Sequence, residues 1–368
     1  IENAFASFGN DNGNIRTLLS QPAIAPHDNN LVSWGNADAT IHSLSQPPSL
    51  VPSPNFEALL AERFSPVLYL HEGERFQPQE IRVVLDTATL LRNDSPVPDA
   101  PFPLTEEFLS TKTDSDYKLD LLGNTIILGP EDNPYKNTAY AHVTEDQNHV
   151  VLQYWFFYYF NDWKGAPLGA DFTHEGDWEF VQFIFPKDKA VQEIIEQNLD
   201  PERAVYSAHA GGYQLDWGAV EKDGDRPIVY VTKGSHANHF QEGFCDVTTP
   251  RGIGTDQAHF NASKRLAIAD FEIIINEILG GLALNQTDQK WLLFGGRWGE
   301  HDSITRQSPR GPLHQSQRER WFNPVLWTDN LSEEWGNFYL NHCDGDFDGI
   351  WNNVDPNHKV FSNDFSAL

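Results

Sequence analysis

From Val67 to Phe294 the chain repeats one pattern, a short run of β-branched or aromatic residues followed by a break of Gly, Pro, Asn or Asp. The runs Val67–His71, Ile81–Leu85, His149–Phe160, Asp177–Phe185, Ala204–Tyr213, Pro227–Thr232 and Trp291–Phe294 read as strands. Together they predict a mostly β fold, a β-sandwich with a few peripheral helices. Two stretches carry helical spacing instead. They are Ala190–Asn198 and, more clearly, Ser263–Leu279, where Ile268, Phe271, Ile274, Ile275 and Ile278 recur ahead of Gly280-Gly281. A short helix is expected from Asn55, a natural cap, to Phe64, with Phe56, Leu59 and Leu60 on it and Pro66 stopping it. Residues 1–54 are rich in Asn, Ser, Pro and Gly and read as an extended arm or linker. The expected organisation is therefore an arm over 1–54, a β-sandwich domain over 55–335 and a calcium-binding tail over 336–368.

Composition supports a packed protein, because 11 Trp and 24 Phe are far more aromatic surface than a disordered chain carries. Charge narrows the partners. With 25 basic against 53 acidic residues the net charge is -28, which repels nucleic acid and anionic lipid at long range, so no nucleic acid partner is expected. A solvated acidic surface and cation capture both account for the excess. No transmembrane segment is expected, since Val150–Phe160 is broken at Gln153 and falls short of the roughly 18 to 20 apolar residues a span needs. Cys245 and Cys343 are too few for a disulfide framework; a single bridge is preferred, and it would tie the tail to the body. The chain begins at Ile1 without Met, compatible with a removed leader, and carries sequons at Asn93, Asn261, Asn285 and Asn330. These features lead us to expect a secreted, extracellular glycoprotein.

The tail holds an acidic run in which Asp344, Asp346 and Asp348 alternate before Gly349, followed by Ile350, Asn352 and Asp355. Calcium takes six to eight hard oxygens, and this spacing supplies carboxylates, the Ile350 carbonyl and the Asn352 amide around one turn. The pattern resembles the acidic repeats of thrombospondin type 3 modules and related bacterial calcium linkers. Calcium is the expected cofactor there.

A second constellation lies at Thr173-His174-Glu175-Gly176-Asp177-Trp178-Glu179, ahead of a strand. On a strand Asp177 and Glu179 share a face, and His174 stands at its entrance. One imidazole and two carboxylates form an economical site for a second divalent ion, Mg, Ca, Mn or Zn. His209 and His236 each follow an apolar strand and sit among small residues, so both are candidate catalytic groups, with Glu175 and His71 weaker ones.

Pro66 with His71 and Glu74, the motif 174–179, the segment around His209, Gly234–Ala237, Phe294–Gly299 and Gly311-Pro312 follow one another in this order. In that order they resemble the vacuolar protein sorting-associated protein 62 family, over roughly residues 60–325. His-x-x-Asp-Trp-Glu is also similar to the core of the heptad of necrosis-inducing cytolysins. That resemblance implies a secreted β-sandwich in which His174, Asp177 and Glu179 hold a divalent ion used to dock on sphingolipid sugars. Glu175 and Gly176 depart from the heptad, and for its upstream acid only Asp171 and Asp162 offer themselves.

Three functions follow. The first is a secreted metal-dependent β-sandwich recognising glycans or glycolipid headgroups, with membrane activity a further expectation that the resemblance implies. The second is a divalent-metal-dependent hydrolase, with Glu175 or His209 as general base and His236 stabilising developing charge. The third is an interaction module whose ion and histidines are structural. No Ser-His-Asp pattern, phosphate loop or dinucleotide fingerprint is present in the sequence, and the sequence leaves the oligomeric state open.

Overall fold

The computed structural model describes residues 55–121, 135–163, 172–209, 211–249, 252–258, 266–269, 271–275, 289–300, 308–314, 317–331, 343–344 and 359–361. All fall within one unit, Pro54–Leu368. The expected arm and the calcium loop beyond Asp344 lie outside the described residues.

The fold is mostly β. Its centre is a seven-stranded sheet whose strands, in spatial order, are Glu272–Ile275 (β16), Thr138–Asp146 (β5), His149–Asn161 (β6), His174–Ile184 (β7), Arg203–Ala208 (β8), Gly211–Asp216 (β9) and Lys359–Phe361 (β18). Neighbours are antiparallel except for the parallel pair β16 and β5. A second sheet runs Lys222–Asp223 (β10), Arg226–Val231 (β11), Val67–Leu70 (β1) and Leu266–Ile268 (β15), with Asn238–His239 (β12) also paired to β11. Two small sheets flank these. One is Gly252–Ala258 (β14), Gly243–Thr249 (β13) and Cys343–Asp344 (β17); the other is Ser95–Pro96 (β3), Thr89–Arg92 (β2) and Tyr117–Asp120 (β4).

The central sheet is covered on both faces, and the sequence of β6 shows why its strands are apolar without alternation. Tyr154, Phe156 and Tyr158 enter one core with Leu68, Leu70, Val229 and Val231 of the second sheet. Trp155, Phe157 and Tyr159 enter the other, with Val83, Val84, Leu119, Trp291, Trp298 and Trp321. Each such side chain stabilises the fold by about 1.5 to 3 kcal/mol on burial. Gln153, the polar break in β6, is fully buried but bonded: its amide donates to Gln182 Oε1 (2.8 Å) and the Arg320 carbonyl (2.7 Å), and its oxygen accepts from Trp155 Nε1 (3.0 Å). That network fixes the helices Gln317–Phe322 (α5) and Pro324–Asn330 (α6) onto the sheet.

The helix Phe56–Arg63 (α1) starts where expected, with the Asn55 side chain accepting from the Ala58 amide at 2.9 Å. A second expected helix is Val191–Glu196 (α4). Four local expectations are corrected. Ile81–Leu85 is not a strand: residues Arg82–Thr87 form a helix (α2) that buries Val83, Val84 and Leu85, since a five-residue apolar run does not distinguish the two. Trp291–Phe294 is a 3₁₀ turn, Lys290–Leu293, rather than a strand. Ala204–Tyr213 is not one strand but the hairpin of β8 and β9, broken at His209. The helix expected over Ser263–Leu279 is replaced, where described, by β15 on the edge of β1 and β16 on the edge of β5. The β-branched run Ile273–Ile275 suits a strand as well as a helix, and two open sheet edges decide the matter.

Candidate functional site: a buried acid and histidine seam

The end of β7 carries the candidate motif, and its geometry turns on Gly176. This residue adopts φ +60, and a Cβ placed there would stand 1.9 Å from the Trp298 carbonyl oxygen. Strict alternation would put Glu175 and Asp177 on one face. Instead Glu175 accepts from the amides of Leu121 (2.8 Å) and Glu300 (2.9 Å), whereas Asp177 faces His236 and Asn161. Trp178 and Phe180 enter the core on the Glu175 side, as the two-residue period requires.

Three carboxylates meet at the seam between the sheets. Asp177 Oδ2 lies 3.0 Å from His236 Nδ1 and accepts from Asn161 Nδ2 at 3.2 Å. His236 Nε2 points at Glu74 Oε1, 3.6 Å away, and Glu74 is held by the amides of Gly234 (2.6 Å), Arg75 (2.7 Å) and Phe76 (2.8 Å). Glu179 accepts from the Ser207 hydroxyl, which Asn238 Nδ2 also approaches at 3.3 Å. His174 Nδ1 is 2.8 Å from the Gly176 carbonyl. A carbonyl only accepts, so Nδ1 donates, and that bond fixes the ring as the outer bond of a metal-ligating histidine does.

Burial opposes charge on all of these groups, and their neighbours decide the outcome. Desolvation lowers the affinity of His236 for a proton, but Glu74 and Asp177 more than offset it and raise its pKa to about 9. Asp177 is held below the usual carboxylate range despite burial, by the bond from His236 and the charges of His174 and His236. Glu179 is pushed well above that range by burial and by the Asp177 charge beside it. Buried polar atoms at the seam that find no hydrogen-bond partner include the Tyr158 hydroxyl, Asn238 Oδ1 and His236 Nε2, the last facing Glu74 only as an ion pair. The fields of Glu179, Glu74 and Asp177 all act on that hydroxyl.

His209 belongs to an adjoining centre. Its Nε2 is 2.8 Å from Asp256 Oδ2, while Ser235 donates to Asp256 Oδ1 at 2.8 Å and His239 Nε2 stands 3.5 Å from Oδ2. Burial opposes the Asp256 charge, yet His209 and His239 hold the acid far below its ordinary range. His209 and His236 both adopt positive φ, 53 and 54, a conformation uncommon outside Gly and concentrated at functional sites. His71 is local, its Nδ1 accepting from the Gly73 amide at 2.8 Å.

The structure thus brings His174, Asp177, Glu179 and His236 together, sets His209 next to them, and turns Glu175 elsewhere. It adds Glu74, Asn161, Tyr158, Ser207, Asn238 and Asp256. Asp256 lies on a hairpin with no motif around it and meets His209 across 47 residues of chain, so nothing local marked it. Asp344 ends β17, and the remaining calcium-loop ligands Asp346, Asp348, Ile350, Asn352 and Asp355 lie outside the described residues.

The seam gathers an oriented imidazole, two carboxylates and a hydroxyl without a hydrogen-bond partner, donor types of the kind a mixed nitrogen and oxygen site uses. Among the described residues no three His, Cys, Asp or Glu side chains already surround a metal position. Asp177 and Glu179 are turned onto His236 and Ser207, and each would have to rotate toward an ion.

Comparison with solved structures finds weak likenesses. A structure of NLPPya with mannosamine is 12% identical, with 72% of this chain and 89% of that chain aligned at a TM-score of 0.35. A structure described as a toxin fold as basis for microbial attack and plant defense is 14% identical over 64% of this chain and 81% of that one, at 0.33. Necrosis and Ethylene inducing Protein 2 from the causal agent of cocoa's witches' broom disease is 12% identical over 63% and 78%, at 0.30. No curated protein matches the sequence. The family model for vacuolar protein sorting-associated protein 62 matches residues 21–308, beginning within the segment read as an arm. With well over half of its length matched, the chain belongs to the vacuolar protein sorting-associated protein 62 family.

Proposed function

We propose that this chain recognises hydroxyl-rich ligands, glycans or glycolipid headgroups, through a divalent ion held by His174, Asp177 and Glu179. The observation that carries the reading is the charge balance of the seam. Among the described residues Glu74, Asp177 and Glu179 are buried together, with His236 and His174 as the imidazoles facing them and Arg320 acting on Glu179, and the Tyr158 hydroxyl lies in the field of the three acids without a hydrogen-bond partner. Buried like charges are costly unless compensated. A cation would let Glu179 ionise, satisfy the hydroxyl directly or through its water, and offer open positions to vicinal sugar hydroxyls. The same reading places calcium on the acidic tail loop, which suits an extracellular protein.

The test is calorimetric titration of the chelator-stripped chain with Ca, Mg, Mn and Zn, on wild type, Asp177→Asn and Asp346→Asn. Two binding events are expected, each lost in one variant, with glycan-array binding abolished by chelator and by Asp177→Asn. A single event lost only in Asp346→Asn would overturn the seam site.

The His209–Asp256 pair favours a second reading, hydrolysis. The acid orients the imidazole as a general base requires. The Ser235 hydroxyl is bonded to Asp256 and Thr232, so the described residues around His209 form no serine nucleophile arrangement. Turnover of glycoside or ester substrates that His209→Ala abolishes, with stability unchanged, would move the conclusion to this reading.

A further inference from the structure

The 3₁₀ turn at Lys290 is tied to the helix Glu106–Ser110 (α3), whose Glu106 accepts from the Trp291 amide at 3.4 Å. The chain then joins the edge strand β4: the Arg297 amide donates to the Tyr117 carbonyl and the Leu119 amide to the Arg297 carbonyl, both at 2.9 Å. On its other side Arg297 pairs with Arg310, next to a bond from the Trp298 amide to the Pro309 carbonyl at 2.9 Å. Lys118, Arg297 and Arg310 are therefore successive partners across three segments of chain. Partners in register project from one face with Cβ atoms about 5 Å apart. Tyr117 and Leu119 enter the core, so the row of bases stands on the opposite, outer face.

Like charges directly opposite one another destabilise a sheet. At one end of the row the charge is met, since Asp94 and Glu300 each stand 2.5 Å from Lys118 Nζ. Arg297 donates to the Ser308 carbonyl at 2.8 Å, an acceptor that carries no charge. Arg310 forms no ion pair among the described residues. The exposed Asp116 acts on it by its charge, and its Nε is buried without a hydrogen-bond partner. Burial, followed by the Arg310 charge, lowers the pKa of Arg297 to about 10, and burial lowers that of Arg310 as well. The half-buried His314 lies in the fields of Arg310 and Arg318, which extends the basic face. This arrangement stands out in a chain of 53 acids and 25 bases. A water would satisfy Arg310 Nε but leave the two guanidinium charges opposed, whereas an anion answers both.

We propose that the Arg297–Arg310 pair binds a small tetrahedral oxyanion, phosphate or a phosphomonoester, whose oxygens the two guanidinium groups share. The planar fork of arginine fits such oxygens with parallel charge-assisted bonds. A phosphomonoester carries a charge of about -1.5 to -2 at pH 7, which balances two guanidinium groups, whereas a carboxylate balances one. The ligand is small because the net charge of -28 repels an extended anionic surface at long range.

The experiment titrates the full, chelator-stripped chain with inorganic phosphate and with glycerol phosphate at constant ionic strength, read by calorimetry and by melting temperature. Chloride is the control anion, and phosphatidylcholine vesicles with and without phosphatidate form the lipid arm. Both phosphates are expected to bind saturably and raise the melting temperature, with chloride doing neither and the vesicles not bound. Arg310→Gln is expected to weaken binding about tenfold or more. In phosphate-free buffer the same variant should melt no lower than wild type, because it removes a like-charge pair. Arg310→Lys, which keeps the charge and loses the fork, should fall between the two. Asp177→Asn should leave phosphate binding intact, which separates this face from the seam. No saturable binding, an equal effect of chloride, binding to phosphatidate vesicles alone, or an affinity unchanged in Arg310→Gln would overturn the proposal. So would a lower melting temperature of Arg310→Gln without phosphate, since the chain itself would then compensate Arg310.

Discussion

Replacing Gly176 by Ala tests the local geometry on which the seam depends, and its cost can be worked from two separate sources. The left-handed backbone at φ +60 disfavours any L side chain by about 1 to 2 kcal/mol. The added Cβ would also stand 1.9 Å from the Trp298 carbonyl oxygen and 2.9 Å from its carbon, both backbone atoms that no rotamer change can move. Forced overpacking of this kind costs typically 1 to 3 kcal/mol, giving a total of about 2 to 5 kcal/mol. Against a folding free energy of order 5 to 15 kcal/mol, that loss is readily measured. Two other glycines resolve the sources. Gly224 has φ +66 with nothing near its Cβ, so Gly224→Ala should cost about 1 to 2 kcal/mol. Gly218 has neither constraint, and Gly218→Ala should leave stability unchanged or raise it by up to about 1 kcal/mol. Urea unfolding followed by tryptophan fluorescence gives all three values. If Gly176→Ala costs no more than Gly224→Ala, the contact with Trp298 is not a constraint, and the account of how Glu175 and Asp177 come to face different partners fails.

The seam also predicts a pH dependence in chelator-treated protein. A His236 pKa of about 9 against 6.5 unfolded means its contribution is complete below about pH 6.5 and is lost as pH rises through 9. At 1.4 kcal/mol per unit this amounts to roughly 3 kcal/mol, and the raised Glu179 carboxyl acts in the same direction. Urea midpoints that stay flat from pH 6.5 to 9.5 would refute it, and His236→Gln should flatten the profile. On the tail, the strand pairing sets Cys245 directly opposite Cys343, a separation within reach of a disulfide. Thiol titration of the denatured, unreduced protein should find no free thiol; two would contradict a bridge.

The strands around Val67, His149, Asp177 and Pro227, the first helix with its Asn55 cap, the mostly β class and the His174–Asp177–Glu179 grouping were legible in the sequence, because each rests on contacts between residues close in the chain or on a period of two. The ambiguous apolar runs were not. Ile81–Leu85 and the Ile-rich stretch before Gly280 have side chains that serve either a helix or a strand, and the choice fell to the available partners: a core face for one, open sheet edges for the other. The site divides along the same line. The motif determined which chemical groups the seam would hold. Glu74, Ser207 and Asn238 joined it, and Asp256 the adjoining His209 centre, only because the turn after β1 and the strands β8, β12 and β14 meet there, and the burial that raises Glu179 and the two acids that charge His236 come together only in the folded chain. Charge state in a protein interior is set by neighbours and solvent exclusion, which no local stretch of sequence contains.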